Sequence, residues 1–315
     1  MKLKTHSLQV LLVNLKPFKK KDMKKSIFIA LMLTTALFQS CKTDKSTEKT
    51  DEPKQLNISI LLDLSDRISP SKHPATPSHQ ERDLAIIKGV VEYFKKDMEK
   101  RGTFDANGRI KVFMEPAPSI PGINDLQRQI SIDCSKMDVK QKKEVYDGIE
   151  SDFNTALTEI YERTIESSKF RGSDIWRFFQ HKANDYCIAR DTNYRNILII
   201  LTDGYIYDPT TTLKVGNRVQ NLLGCTIGKY RSLSDPIGAI QKDDFGLLVP
   251  KGVDLSGLEV IVLEISPEQN SQKDESILTY CIDKWLGEMN VQHKQVYTTD
   301  LPSNIEQRIG LFLEE

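Results

Sequence analysis

Residues 195–204 read RNILIILTDG. Ile197, Leu198, Ile199, Ile200 and Leu201 form an unbroken aliphatic run without polar alternation. Such a run suits a strand covered on both faces. It ends at once in Thr202, Asp203 and Gly204: a hydroxyl, a carboxylate and a turn residue. Residues 56–65, LNISILLDLS, repeat the arrangement, with Asp63 closing the apolar run and Ser65 two positions on. Residues 258–265, LEVIVLEI, make a third strand of this kind.

Strands buried on both sides need helices on both sides, and the chain places helical periods between them. Over residues 81–102, Leu84, Ile87, Val91, Phe94 and Met98 mark one face, and Gly102 stops the helix. Over residues 138–169 the buried face is Val145, Ile149, Phe153, Leu157, Ile160 and Tyr161. Residues 173–187 follow Gly172 as another helix, with Trp176, Phe178 and Phe179 core-facing or half-buried. Residues 274–290 and 303–315 are the last two. Residues 109–118 read as a strand ended by prolines and 293–299 as a short strand. Residues 128–135, RQISIDCS, alternate and suit a less buried strand. Three prolines make 66–80 a loop. This order predicts an α/β fold: Rossmann-like, doubly wound, with a mostly parallel sheet and helices on both faces. Ligands in such sheets bind at the carboxyl ends of the strands, so Asp63 and Asp203 are expected on one edge. Residues 205–256, with only short apolar runs, follow Asp203 as an insertion on that edge. Loops in that position commonly set specificity.

The 315 residues carry 44 Lys and Arg against 44 Asp and Glu, a formal net charge of zero. That speaks against a nucleic-acid partner, which calls for a basic excess. No phosphate-binding glycine loop, no Gly-x-Ser-x-Gly elbow and no His-Glu-x-x-His helix occurs in the sequence. No residue is assigned a catalytic role, and the chain is read as a non-enzyme. Cys134, Cys187, Cys225 and Cys281 match no zinc spacing, and buried free thiols are favoured over a full disulfide framework.

The first 55 residues read differently. Met23-Lys-Lys precedes an apolar run, residues 26–38, and then Gln39-Ser40-Cys41. The run is too short for a comfortable transmembrane helix. Residues 23–41 resemble the signal peptide of bacterial lipoproteins, with residues 38–41 as the lipobox and Cys41 as the acylated residue. The alternative is a plain secretory signal with an incidental cysteine. Residues 1–22 duplicate the signal upstream and read as an extension ahead of a true start at Met23. Residues 42–55 are polar and charged, a flexible tether. The folded domain is then 56–315, held by lipid to a membrane of the bacterial cell envelope, the outer membrane foremost.

Three polar elements fall on the expected edge: Asp63-x-Ser65, Gly172-Ser173-Asp174 opening a helix, and Thr202-Asp203-Gly204. Hydroxyls and carboxylates are hard ligands, suited to Mg²⁺ or Mn²⁺, with Ca²⁺ less suited and zinc or copper least. Ser173 has a second reading as a helix N-cap, and Asp174 as a charge favoured by the helix dipole. His73 and His79, among prolines, read as solvated.

The order and spacing resemble a von Willebrand factor type A domain with its metal-ion-dependent adhesion site. That family carries Asp-x-Ser-x-Ser after the first strand, a Thr in a middle loop, and an Asp after the fourth strand. Asp63 and Ser65 match the first element, Ser173 stands for the Thr, and Asp203 matches the last. The resemblance implies a metal site of Asp63, Ser65, Ser173 and Asp203, modified by Asp66, Arg67 and Asp174. It implies a lipoprotein that binds a protein or glycan of the envelope through a metal with one open position. Arg67 stands where the family has its second Ser, and a guanidinium cannot ligate a cation. Either Arg67 points outward and Asp66 or water completes the site, or Arg67 replaces the metal by pairing Asp63 with Asp203. The second case implies an envelope scaffold with a vestigial site. A divergent metal-dependent hydrolase is a further alternative. Haloacid-dehalogenase-like enzymes have an acid two residues after the first Asp, and here that residue is Ser65.

Overall fold

The computed structural model of the protein describes residues 53–268 and 271–314. The expectations for residues 1–22, the signal and Cys41 in 23–41, and nearly all of the 42–55 tether lie outside the described residues.

The chain enters strand β1 (Gln55–Leu62) and then a short 3₁₀ turn at Asp66–Ile68. Helix α1 (His79–Asp105) begins two residues before the expected start, because Ser78 and Glu81 form a capping box. Gly102, at φ 74°, breaks the helical path, and one more turn runs on to Asp105. Strand β2 (Arg109–Met114), helix α2 (Ile123–Gln129) and strand β3 (Ile132–Asp133) follow. Helix α3 (Val139–Ser167) is capped by Asp138. Helix α4 (Ile175–Phe178) continues in π-helical turns over Phe179–Cys187. Next is strand β4 (Tyr194–Leu201), then the insertion with β5 (Lys214–Val215), β6 (Arg218–Val219), α5 (Gly224–Arg231), α6 (Pro236–Asp243) and β7 (Gly246–Leu247). Strand β8 (Glu259–Ile265), helix α7 (Gln272–Glu288), strand β9 (Lys294–Thr298) and helix α8 (Pro302–Glu314) complete the order.

The main sheet has six strands in the order β3-β2-β1-β4-β8-β9. Only β3 runs antiparallel. The expected doubly wound α/β fold is therefore present. Aliphatic residues alternate in side: Ile197, Ile199 and Leu201 of β4 join the core under α1, α3 and α8, while Leu198 and Ile200 join the core under α4 and α7. An apolar run without polar alternation serves both cores at once. The chain leaves β1 toward β2 and later returns to β4 on the other side of β1, so the topological switch point lies between β1 and β4.

One element differs from expectation. Residues 128–135 do not make a full strand, and only Ile132 and Asp133 pair with β2. Gly122, in the left-handed region at φ 84°, starts α2 instead. Gln127 on that helix donates from Nε2 to the Val112 carbonyl at 2.7 Å, so a side chain meets the β2 edge where a strand was expected.

The insertion is folded. Its three short strands form a second sheet, β5-β6-β7. Leu222, Ile227, Tyr230, Ile240 and Leu247 pack into the core beside α7. The Leu248 carbonyl accepts both indole N–H groups, Trp176 at 2.6 Å and Trp285 at 3.1 Å. Cys134, Cys187, Cys225 and Cys281 are free thiols, and Cys225 alone of these is exposed.

Candidate functional site

The site is built from the strand ends upward. β1 and β4 pair in register up to Leu62 and Leu201, and the Asp63 N–H donates to the Leu201 carbonyl at 3.0 Å. Asp63 and Asp203 thus leave the sheet on its carboxyl edge, on either side of the switch point. Asp63 is buried. Its Oδ1 accepts the Ser65 N–H at 2.9 Å and its Oδ2 accepts the Thr202 hydroxyl at 2.7 Å. Asp203 accepts the Tyr205 N–H at 2.9 Å, which forms the tight turn into the insertion.

Ser173 arrives from a third segment. Its N–H donates to the Tyr207 carbonyl at 2.7 Å, and the Tyr207 N–H donates back at 2.8 Å. This two-bond bridge brings the start of the insertion against the Ser173 loop. Gly172 permits the approach: its φ is 96°, and a Cβ there would stand 2.3 Å from the Tyr207 oxygen.

Ser65, Asp66, Ser173 and Asp203 line one cleft of about 130 Å³, together with His73, Tyr205, Tyr207 and Glu268. Ser173 is 2% exposed, and its Oγ has no hydrogen-bond partner among the described residues. Asp63 lies behind this cleft, engaged by Thr202 and Ser65.

Arg67 takes neither of the two courses expected for it. Its side chain is 1% exposed and turns inward. Nη2 donates to Asp83 Oδ2 at 2.5 Å and to the Leu201 carbonyl at 3.2 Å, and Nε donates to the Asp63 carbonyl at 3.0 Å. The Asp63 carboxylate is 3.8 Å from Nε, and the hydrogen bonds of Arg67 do not include Asp203. The Tyr161 hydroxyl donates to the same Asp83 oxygen at 2.6 Å. Burial opposes the charge on Arg67, but Asp83 and then Asp63 outweigh it and hold the guanidinium firmly protonated. Asp83 moves the other way. Burial pushes it up to about 6, against the pull of Arg67, and Glu264 adds to the rise. Asp63 and Asp83 share this one guanidinium. Burial, followed by the Asp83 charge, raises the Tyr161 phenol well above its ordinary range.

Sequence reading missed Asp83, and a signal for it exists. Asp83 precedes Ile87 by four residues on the stripe that also carries Val90, Val91 and Phe94, so it faces the core. The same holds for Arg82, four residues before Ile86. Arg82 grips the fully buried Glu264 with two bonds, Nε to Oε2 at 2.6 Å and Nη2 to Oε1 at 3.0 Å, and also reaches the Asp300 carbonyl. Glu264 sits at φ 73°, where the pairing of β8 with β9 is interrupted between Val262 and Ile265. A non-glycine residue in that region is strained.

Asp174 does not line the cleft. Its Oδ1 accepts the Arg177 N–H at 3.0 Å, so it caps α4, and its Oδ2 accepts the Thr211 hydroxyl from the insertion at 2.5 Å. The cap expected of Ser173 is made by its neighbour. Asp66 pairs with Lys72 at 2.9 Å on the exposed rim. His79 does not read as solvated: it is half-buried, and burial, with the Arg67, His73 and Arg82 charges, pushes its imidazole down to about 4. Burial and the nearby Asp63 charge hold the Asp203 carboxyl above the usual carboxylate range, with Arg67 opposing.

No family model matches this chain, and no curated protein matches it. Among the described residues, no group of three or more His, Cys, Asp or Glu side chains is placed to hold a metal ion. A cation in the cleft would therefore depend on the hydroxyls. Among the described residues no helix is long and apolar enough to cross a membrane.

Proposed function

We propose that this protein is a non-enzymatic binding module of the cell envelope, and that the cleft at the carboxyl edge of the sheet is its recognition site. The observation that carries this reading is the convergence of Ser65, Ser173 and Asp203 on one cleft from three separate segments, with the buried Ser173 hydroxyl lacking a partner. A buried polar atom left without a partner is costly, so a ligand that satisfies it is favoured. The donors are hard oxygens and fit a divalent cation such as Mg²⁺ or Mn²⁺. Ser65 and Ser173 would hold it as neutral ligands, and Asp203, which burial and Asp63 make harder to ionise than usual, would give up its proton to balance the charge. Bound there, the ion would supply Lewis acidity and an open position for a group of a protein or glycan partner. The inward turn of Arg67 supports this reading, because its guanidinium bonds Asp83 and does not line the cleft. The resemblance to von Willebrand factor type A domains stays part of the proposal, as does the anchoring of the domain to a membrane through lipid on Cys41.

A second reading has its own support. Arg67, Asp83 and Tyr161 form a buried network below the site. That network fits a scaffold in which the charged residues serve stability alone. Calorimetric titration with Mg²⁺ and Mn²⁺ separates the two. The binding reading expects saturable uptake that Ser173→Ala weakens and Asp203→Asn abolishes, with Ser173→Ala melting within a degree or two of the wild type because its Oγ has no protein partner to lose. Absence of uptake by the wild type would favour the scaffold.

A further inference from the structure

The charge and the shape of the cleft point to a more specific partner. Of the residues that line it, Asp66, Asp203 and Glu268 are acidic and only His73 is basic. Two guanidinium groups flank it: Arg67 bonds Asp83 and two carbonyls behind the site, and Arg231, which donates to the Gly224 carbonyl at 3.4 Å, is paired with Asp274. Asp66 already has Lys72 beside it at the rim, 2.9 Å away, so an ammonium group is accepted at this edge within the chain itself. Deeper in, Asp203 and the unpartnered Ser173 hydroxyl remain. One carboxyl group, which ionises only with a cation beside it, and two neutral hydroxyls are a thin set for a divalent ion, which prefers six or more oxygens and several charges. They are a good match for an ammonium group, which carries one charge and three donors. Tyr205 and Tyr207 also line the cleft, Tyr207 with 40% of its surface exposed, and aromatic rings suit a cation and the methylene stem behind it.

We propose that the cleft receives the ammonium group of a lysine side chain from a partner protein, and that divalent cations compete with it for Ser65, Ser173 and Asp203. This rests on the reading of the cleft as the recognition site. It departs from that reading in the sign of the partner group, since a bound metal would call for an acidic group instead. The volume of about 130 Å³ admits a side-chain tip rather than a folded element, so the lysine should come from an extended loop or a chain end.

The probes are three capped tripeptides, acetyl-Gly-Lys-Gly-amide, its Nε-acetylated form and acetyl-Gly-Glu-Gly-amide. Each is titrated into the full chain, with amide shifts read by NMR. In EDTA the lysine peptide should give saturable shifts around Ser65, Ser173 and Tyr205. Acetylation should remove them, and Asp203→Asn or Ser173→Ala should weaken binding at least tenfold. Mg²⁺ should raise the apparent Kd of the lysine peptide. If Mg²⁺ titrates the cleft and only the Glu peptide then binds, the lysine proposal is overturned while the cleft reading stands. If none of the peptides nor Mg²⁺ shifts these residues, both fall. Lysine-peptide binding undiminished in Ser173→Ala and Asp203→Asn also overturns the proposal, because the contact then lies elsewhere. Melting curves of the two variants confirm that each is folded in the titration.

Discussion

Arg67 Nη2 lies 2.5 Å from Asp83 Oδ2, with both side chains at or below 1% exposure. The pair joins the loop after the first strand to the second turn of the following helix. It lies directly beneath the edge where Asp63 and Asp203 emerge, and the Leu201 carbonyl accepts from the same Nη2. The sheet edge is thus fixed by a guanidinium that touches the residue following β1, the end of β4 and α1 together. A position that the family resemblance assigns to a ligand is occupied here by a structural cation.

Breaking this pair should be costly. Asp83→Ala leaves the buried guanidinium with the Asp63 carboxylate 3.8 Å away as its counter-charge, and breaking the buried pair should lower stability by ~3 kcal/mol. Replacing both partners, as Arg67→Met with Asp83→Leu, should recover only part of that loss, because the buried Asp63 carboxylate then loses the guanidinium it shared. Urea unfolding of the two single variants and the double variant measures the coupling. Strictly additive losses would show that the contact carries no interaction energy of its own.

The Arg82–Glu264 pair makes a parallel case on β8. Glu264→Gln keeps the shape but leaves Arg82 facing a neutral amide, and a loss of ~3 kcal/mol is expected from breaking a buried pair. Glu264→Gly relieves the backbone strain at φ 73° yet also removes the pair. It should still destabilise the protein. An unchanged unfolding midpoint for Glu264→Gly would mean that strain and pairing cancel, contrary to the bidentate geometry.

His79 should give the domain an acid-sensitive term. Its folded-state pKa is pushed down to about 4 from the ordinary value near 6.5, burial first and the Arg67 charge next. A depressed folded pKa means that the unfolded chain binds the proton first as pH falls. The contribution is present above about 6.5 and is lost as pH drops through 4. Asp83 has the opposite sign: with its folded pKa raised to about 6, its contribution is full below the ordinary carboxylate value and is lost as pH rises through 6. The two terms offset one another between about 4 and 6, so total stability is a poor probe of either. The difference in melting temperature between wild type and His79→Gln isolates the histidine, and it should shrink steadily from pH 7 to pH 4. A pH-independent difference over that range would contradict the assignment.

The sequence by itself determined the layers of this protein and the edge on which its polar residues gather. Ile197 to Leu201 need apolar cover on both faces, and the 3.6-residue stripes of α1, α3 and α7 supply it, so hydrophobic period alone dictates a parallel sheet between helices. Asp63, Asp203 and Ser173 were legible because each ends or begins such an element. Two things were decided only by the tertiary structure. The partner of Arg67 lies sixteen residues away on another element, and Arg82 meets Glu264 across 182 residues. Charge pairing in the interior follows three-dimensional proximity and desolvation, which sequence spacing does not encode, so a charged residue near the start of a helix reads as solvated until its stripe is followed. The insertion is the second. Its short apolar runs are too brief to declare strands or helices, and they gain order only by packing on α7 and by the hold of Trp176 and Trp285 on the Leu248 carbonyl.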